Sequence, residues 1–205
     1  MNPKEIVVST AYLPNIEYFA FIAKSEVFFM EDAETYQKQT YRNRAYIMTA
    51  GGVQTLILPT RHETQRNCIR DVRIDYKCPW QMKHWRAIES AYSGTPYFLY
   101  FRDFLYPFFE KKYEFLFDYN LELTETLLRL FKIKKAPAFT GTYEKEYHER
   151  FDLRDLIHPK KERLLPETPY HQIFDDRFPF VGNLSAIDLL FNAGPNREYL
   201  LNLHS

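Results

Sequence analysis

"EIVVSTAYLPNIEYFAFIAKSEVFFMED", residues 5–32, decides the fold. It opens on a short β-branched run, "EIVVST", the mark of a buried strand. Pro14 suits a helix start, and Ile16, Phe19, Ala20, Ile22 and Ala23 then recur at helical spacing. "EVFFME", 26–31, reads as a second strand that ends in the acidic pair Glu31 and Asp32. Strand, short helix, strand is a parallel βαβ unit, and such units place ligands at the carboxyl ends of their strands. Here those ends are the Ser9–Pro14 loop and the stretch from Glu31 onward.

Beyond Asp32 the chain reads "YQKQTYRNR", residues 36–44, which gathers Lys38, Arg42 and Arg44 among tyrosines. Next come two extended segments around Ala50-Gly51-Gly52, a hairpin because glycine tolerates positive φ. A strand over 41–48 puts Arg42, Arg44, Tyr46 and Met48 on one face. "CIRDVRIDY", 68–76, alternates like a further strand. From Pro79 the pattern turns helical, with Trp80, His84 and Ile88 on one stripe. Helices continue to about residue 133, with breaks expected at Pro107 and Asn120, and "PAF" at 137–139 reads as a short strand. Residues 141–166 are polar and mixed in period, a lid or mobile loop. "NLSAIDLLFNA" is a helix capped by Asn183 or Ser185 and stopped by Gly194-Pro195. The fold class is therefore α/β. An N-terminal βαβ unit with a hairpin in a mixed sheet precedes a mainly helical C-terminal half.

With 205 residues, the chain is read as one domain over 1–205. It carries 27 basic and 27 acidic residues, so no global field draws it to nucleic acid or an anionic membrane. Anion binding has to be local. Only 6 glycines are present, and no glycine-rich phosphate loop occurs. Cys68 and Cys78 read as reduced thiols, and no metal-ligand spacing exists. No apolar run approaches the ~20 residues of a spanning helix, so the expected location is the cytoplasm. No cofactor is assigned.

Four groups of residues carry chemistry. Lys38, Arg42 and Arg44 form a fork-shaped clamp for phosphate or carboxylate, or else a solvated face paired with Glu31, Asp32 and Glu34. Of Glu31 and Asp32, strand alternation brings one into a pocket as base or hydrogen-bond acceptor; the other reading is structural salt bridges. His84 is an acid–base candidate or a half-buried structural histidine, and His62 is a surface loop residue. Tyr12, Tyr18 and Tyr36 suit stacking on a base or sugar, or plain core packing.

"STAYLPNIEYF", "EDAETYQKQTYRNRAYI", "WQMKHWRAIESAYSGTPYF" and "NLSAIDLLFNAGP" together resemble the WbqC-like protein family, from about Ser9 to Pro195. The "YQKQTYRNR" and "LSAIDLLFNAGP" blocks look like those of Bacteroidetes members. Many members carry Gln-Pro where this chain has Ser9 and Thr10, so a role resting on that glutamine does not transfer. The resemblance implies a small cytoplasmic protein of O-antigen or other surface-polysaccharide synthesis, with aminoacyl or acyl transfer to an amino sugar. It also implies that Tyr12, Pro14, Tyr18, Asp32, Tyr36, Lys38, Arg42, Asn43, Arg44, Trp80 and His84 make one site.

The leading expectation is a group-transfer enzyme for a small anionic ligand. Asp32 or His84 would move a proton; Tyr12, Pro14, Tyr18, Tyr36, Lys38, Arg42, Asn43, Arg44 and Trp80 would bind. The alternative is a non-catalytic nucleotide- or sugar-phosphate-binding module. A third reading is an assembly protein that uses aromatics around 97–117 as an interface.

Overall fold

The computed structural model describes residues 3–61, 67–166 and 168–203, which leaves His62 outside the described residues. β1 (Glu5–Ser9) and β2 (Val27–Glu31) are parallel neighbours joined by α1 (Ile16–Lys24), the expected βαβ unit. Ile6, Val7 and Val8 are all buried, as a central parallel strand requires. Both ends of α1 are satisfied by side chains. At the start, Asn15 Oδ1 accepts from the Tyr18 N–H at 3.3 Å and Asn183 Oδ1 from the Glu17 N–H at 3.1 Å. At the far end, Lys135 Nζ donates to the carbonyls of Ile22 at 2.7 Å, Ala23 at 3.0 Å and Ser25.

Two short strands complete the parallel sheet. β5 (Ala138–Phe139), the strand read from "PAF", pairs with β2. β6 (Phe151–Asp152) pairs with β1 from within the segment read as a lid. The order is β5-β2-β1-β6. The hairpin of β3 (Arg44–Thr49) and β4 (Gly52–Ile57) forms its own two-stranded antiparallel sheet beside it. Its Ala50-Gly51 turn is followed by Gly52 at φ +95°, where a Cβ is disfavoured.

The helical half consists of α2 (Trp80–Tyr92), α3 (Phe98–Leu105), α4 (Leu116–Leu130), α5 (Ala186–Ala193) and α6 (Arg197–Asn202). Among the described residues no helix is long and apolar enough to cross a membrane.

Four local expectations are corrected. The strand expected over 41–48 starts only at Arg44, because Thr40 Oγ1 donates to the Gln37 carbonyl and turns the chain; Arg42 lies in that turn. Residues 68–76 are not a strand. Ile69–Asp71 is a 3₁₀ turn, since Ile69 and Val72 fall three apart and are both buried. Asn120 does not break a helix but lies inside α4, fully buried, with Nδ2 donating to the Arg42 carbonyl at 2.8 Å. Neither Asn183 nor Ser185 caps α5 through its side chain; Asn183 serves α1 instead.

Candidate functional site

Ser9 and Glu31 are register partners at the ends of β1 and β2. Thr140 follows β5 and Arg154 follows β6. The sheet order therefore lines up Thr140, Glu31, Ser9 and Arg154 along one edge, the carboxyl ends of four parallel strands. In sheets of this kind that edge is where ligands bind.

The edge is wired by buried charge. Glu31 is fully buried; its Oε2 accepts from Arg154 Nη1 at 2.7 Å and from the Tyr147 hydroxyl at 3.3 Å. Its Oε1 accepts from Thr140 Oγ1 at 2.8 Å and from the Ala33 N–H at 2.9 Å. Arg154 also grips Asp152, with Nη2 to Oδ2 at 2.6 Å, and donates to the Glu144 carbonyl at 2.9 Å. Burial alone lowers the affinity of this guanidinium for its proton, but Asp152 and Glu31 outweigh it and hold the pKa above its ordinary value. Tyr143 and Tyr147 lie over its face, 5.1 Å and 4.6 Å from centroid to Cζ.

Next along the edge, Arg42 forks onto Glu34, with Nε to Oε1 at 2.7 Å and Nη2 to Oε2 at 2.5 Å. Nη2 also donates to Ser9 Oγ at 2.7 Å, and Ser9 Oγ donates to Glu34 at 3.2 Å. Glu34 is fixed by its backbone, since its carbonyl accepts from the Ile69 N–H at 2.9 Å. Asp32 is buried against Arg70 Nη2 at 2.5 Å, the Gly141 N–H at 2.8 Å and Thr140 Oγ1 at 3.0 Å. Burial pushes its carboxyl up, but those donors prevail and hold it below the usual carboxylate range.

A cleft of about 370 Å³ opens beside these pairs, lined by Glu34, Thr35, Tyr36, Gln37, Tyr143, Arg154 and Asp155. Asp155 is exposed and makes no hydrogen bond or salt bridge among the described residues. Burial raises the Tyr36 phenol above its ordinary value, against the nearby charges of Arg42 and Arg44.

The residues expected to act together divide into two places. Tyr36, through the cleft, and Tyr18, Asp32 and Arg42, through the strand ends, belong to the sheet edge. The Tyr18 hydroxyl donates to the Ser9 carbonyl at 3.0 Å, and burial, with the Glu34 charge, raises its pKa. Lys38 is exposed next to Gln37, and Arg44 is half-buried; neither has an ion pair among the described residues. Arg42 and Arg44 thus do not share an open face, and Arg42 is committed to Glu34.

Tyr12, Trp80 and His84 form a separate aromatic cluster with Tyr119. His84 Nδ1 bonds the Tyr12 hydroxyl at 2.8 Å, and burial lowers its pKa to about 4. His84 does not line the cleft. Pro14 and Asn43 do structural work: the Pro14 carbonyl accepts from the Ala186 N–H at 2.8 Å, and Asn43 Nδ2 donates to the Leu58 carbonyl at 3.0 Å. Among the described residues no group of three or more His, Cys, Asp or Glu is placed to hold a metal ion.

Thr140, Tyr143, Arg154 and Asp155 were missed by sequence reasoning. The signal available was the alternation Phe151-Asp152-Leu153-Arg154, a strand pattern of four residues inside a polar segment.

Comparisons with known proteins agree with the blocks at this edge. A mycobacterial protein, "Uncharacterized protein Rv1507c" from Mycobacterium tuberculosis (strain ATCC 25618 / H37Rv), is 31% identical over 143 residues, 69% of this chain. The match spans 62% of that relative's length. No solved structure matches the chain. The profile of the WbqC-like protein family matches residues 10–157, from the end of β1 through Arg154 and Asp155, and the chain belongs to that family.

Proposed function

We propose that the chain is a group-transfer enzyme that delivers an acyl or aminoacyl group to the amine of an amino sugar or similar small acceptor, in the service of surface-polysaccharide synthesis. One observation carries it. A carboxylate with no hydrogen bond or salt bridge among the described residues, Asp155, stands beside a locked guanidinium, Arg154, in a cleft at the carboxyl ends of parallel strands. Tyr36 and Tyr143 offer aromatic faces to a sugar ring. Asp155 is the base: the acceptor nitrogen bonds to the acyl carbon of an activated donor, the donor's leaving group departs with its bonding pair, and Asp155 takes the nitrogen's proton. Asp32 and His84 are set aside for that task, since Asp32 is held by Arg70 and the Gly141 N–H and His84 is sealed among rings. The ligand's phosphate or carboxylate lies on the arginine side of the cleft, with Lys38 at its margin.

Calorimetry with nucleotide-linked amino sugars, and turnover with acyl or aminoacyl donors, test this reading. Binding to the wild type with turnover lost in Asp155→Asn is expected. No binding of any acceptor, or an Asp155→Asn variant that turns over normally, removes it.

A second reading, a non-catalytic nucleotide- or sugar-phosphate-binding module, is favoured by the commitment of Glu31, Asp32 and Glu34 to arginines. It requires Asp155→Asn to bind as the wild type does and no donor to give product.

A further inference from the structure

Beside the cleft lies a pocket of about 10 Å³, lined by Ser9, Thr10, Tyr18, Arg42 and Arg154 among others. That is the room of one water molecule or one ligand oxygen. Arg154 lines both cavities, so the pocket adjoins the cleft.

The donors of Arg42, Arg154 and Thr10 can be counted one by one. Arg42 makes four donor bonds: Nε to Glu34, Nη1 to Thr40, and Nη2 to Ser9 and to Glu34. A guanidinium has five N–H donors, so one hydrogen on Arg42 Nη1 is left over. Arg154 spends Nε on Asp152, one Nη1 hydrogen on Glu31, and both Nη2 hydrogens on Asp152 and the Glu144–Lys145 carbonyls. One hydrogen on its Nη1 is likewise left over. Thr10 is fully buried, and its hydroxyl has no hydrogen-bond partner. A buried polar group left unpaired costs about 1–3 kcal/mol, which an occupant of this pocket removes.

All three spare groups are able to donate. A water molecule must place its own two hydrogens as well, whereas a carboxylate or phosphate oxygen only accepts. Both guanidiniums are also fixed by their carboxylate partners before any ligand arrives, so they need no reorganisation to meet one. Three carboxylates, Glu34, Glu31 and Asp152, more than offset the two guanidiniums, so attraction comes from the spare donors rather than from net charge.

We propose that this pocket is a subsite for one anionic oxygen, the seat of a carboxylate or phosphate oxygen of the ligand that occupies the adjoining cleft. This rests on the cleft being a ligand site, but its test needs no acceptor. In solution, the wild type is titrated with acetate and separately with inorganic phosphate, following the Thr10 amide and arginine Nε signals by NMR. A saturable shift is expected with at least one anion. Acetate alone marks a carboxylate seat, phosphate alone a phosphate seat, and both a shared one. Thr10→Val, which keeps the shape and deletes the hydroxyl, should bind about tenfold more weakly, and Thr10→Ser should bind within about threefold of the wild type. Wild-type crystals soaked in bromide give a second measure, independent of any variant's folding: an anomalous peak in the pocket is expected. No saturation with either anion, wild-type affinity in Thr10→Val, or a water in the pocket of the bromide-soaked crystal overturns the subsite. The anion titration needs neither acceptor nor turnover, so a failed cleft reading and a failed subsite give different results.

Discussion

Glu31 and Arg154, 123 residues apart in sequence, form a buried ion pair of 2.7 Å that ties the end of β2 to the segment after β6. Asp152 completes a triad in which two carboxylates share one guanidinium. Removing the guanidinium strands two negative charges, one of them fully buried. Arg154→Ala should therefore lose about 3–5 kcal/mol in urea denaturation. Adding Glu31→Gln should recover part of that loss, because one stranded charge is gone; a double variant less stable than the single one counts against the triad.

Asp155 is exposed and makes no hydrogen bond or salt bridge among the described residues, so its removal should hardly touch folding. Asp155→Asn should unfold within about 0.5 kcal/mol of the wild type. Turnover should fall by roughly 10²–10⁴, the usual contribution of a positioned base. Paired denaturation and rate measurements separate the two effects.

His84 should make the protein acid-sensitive. Its folded pKa of about 4 lies below the value of about 6.5 expected in the unfolded chain. Between these values the unfolded state binds the proton more readily, so stability is full above pH 6.5 and declines as pH falls toward 4. From pH 7.5 to 5 the loss is roughly 2 kcal/mol. His84→Gln, which does not titrate, should flatten this part of the curve when denaturant midpoints are compared across pH.

Lys135 closes the carboxyl end of α1 through three carbonyls. Lys135→Met keeps the stem and deletes the donor, and should cost about 1–2 kcal/mol in thermal or chemical unfolding.

Gly194 ends α5 at φ +73°, and a Cβ there would stand 2.9 Å from the Tyr97 ring. Gly194→Ala meets both a disfavoured backbone and a clash, so a loss of about 1–3 kcal/mol is expected by calorimetry.

The βαβ unit and the hairpin were legible because their signals are local: β-branched runs, a helical apolar spacing, and a glycine turn. The start of β3 was misplaced because the Thr40 hydroxyl turns the backbone just before Arg44, a contact that alternation does not encode. Glu34 was visible only as a neutralising partner of the arginines, and it turned out to be the other half of the Arg42 fork. Arg154 and Asp155 were hidden for a different reason. β6 is two residues long, and its identity as a strand comes from pairing with residues almost 150 positions earlier, which a window of local sequence cannot register. His84 was correctly placed on a stripe with Trp80, and burial there is what takes it away from the cleft.

The pairing of β1 with β6 also sets a timetable for biosynthesis. The first two strands and their helix leave the ribosome early, yet one side of Ile6 and Val7 has no backbone partner until Phe151 and Asp152 emerge. For most of translation the nascent chain carries an apolar strand with an open flank, the kind of edge that invites mispairing. A chain that stops between Glu31 and Phe151 would have its sheet unclosed, the start of α1 without Asn183 and Glu31 without a counter-charge, a product suited to quality-control capture rather than to partial activity.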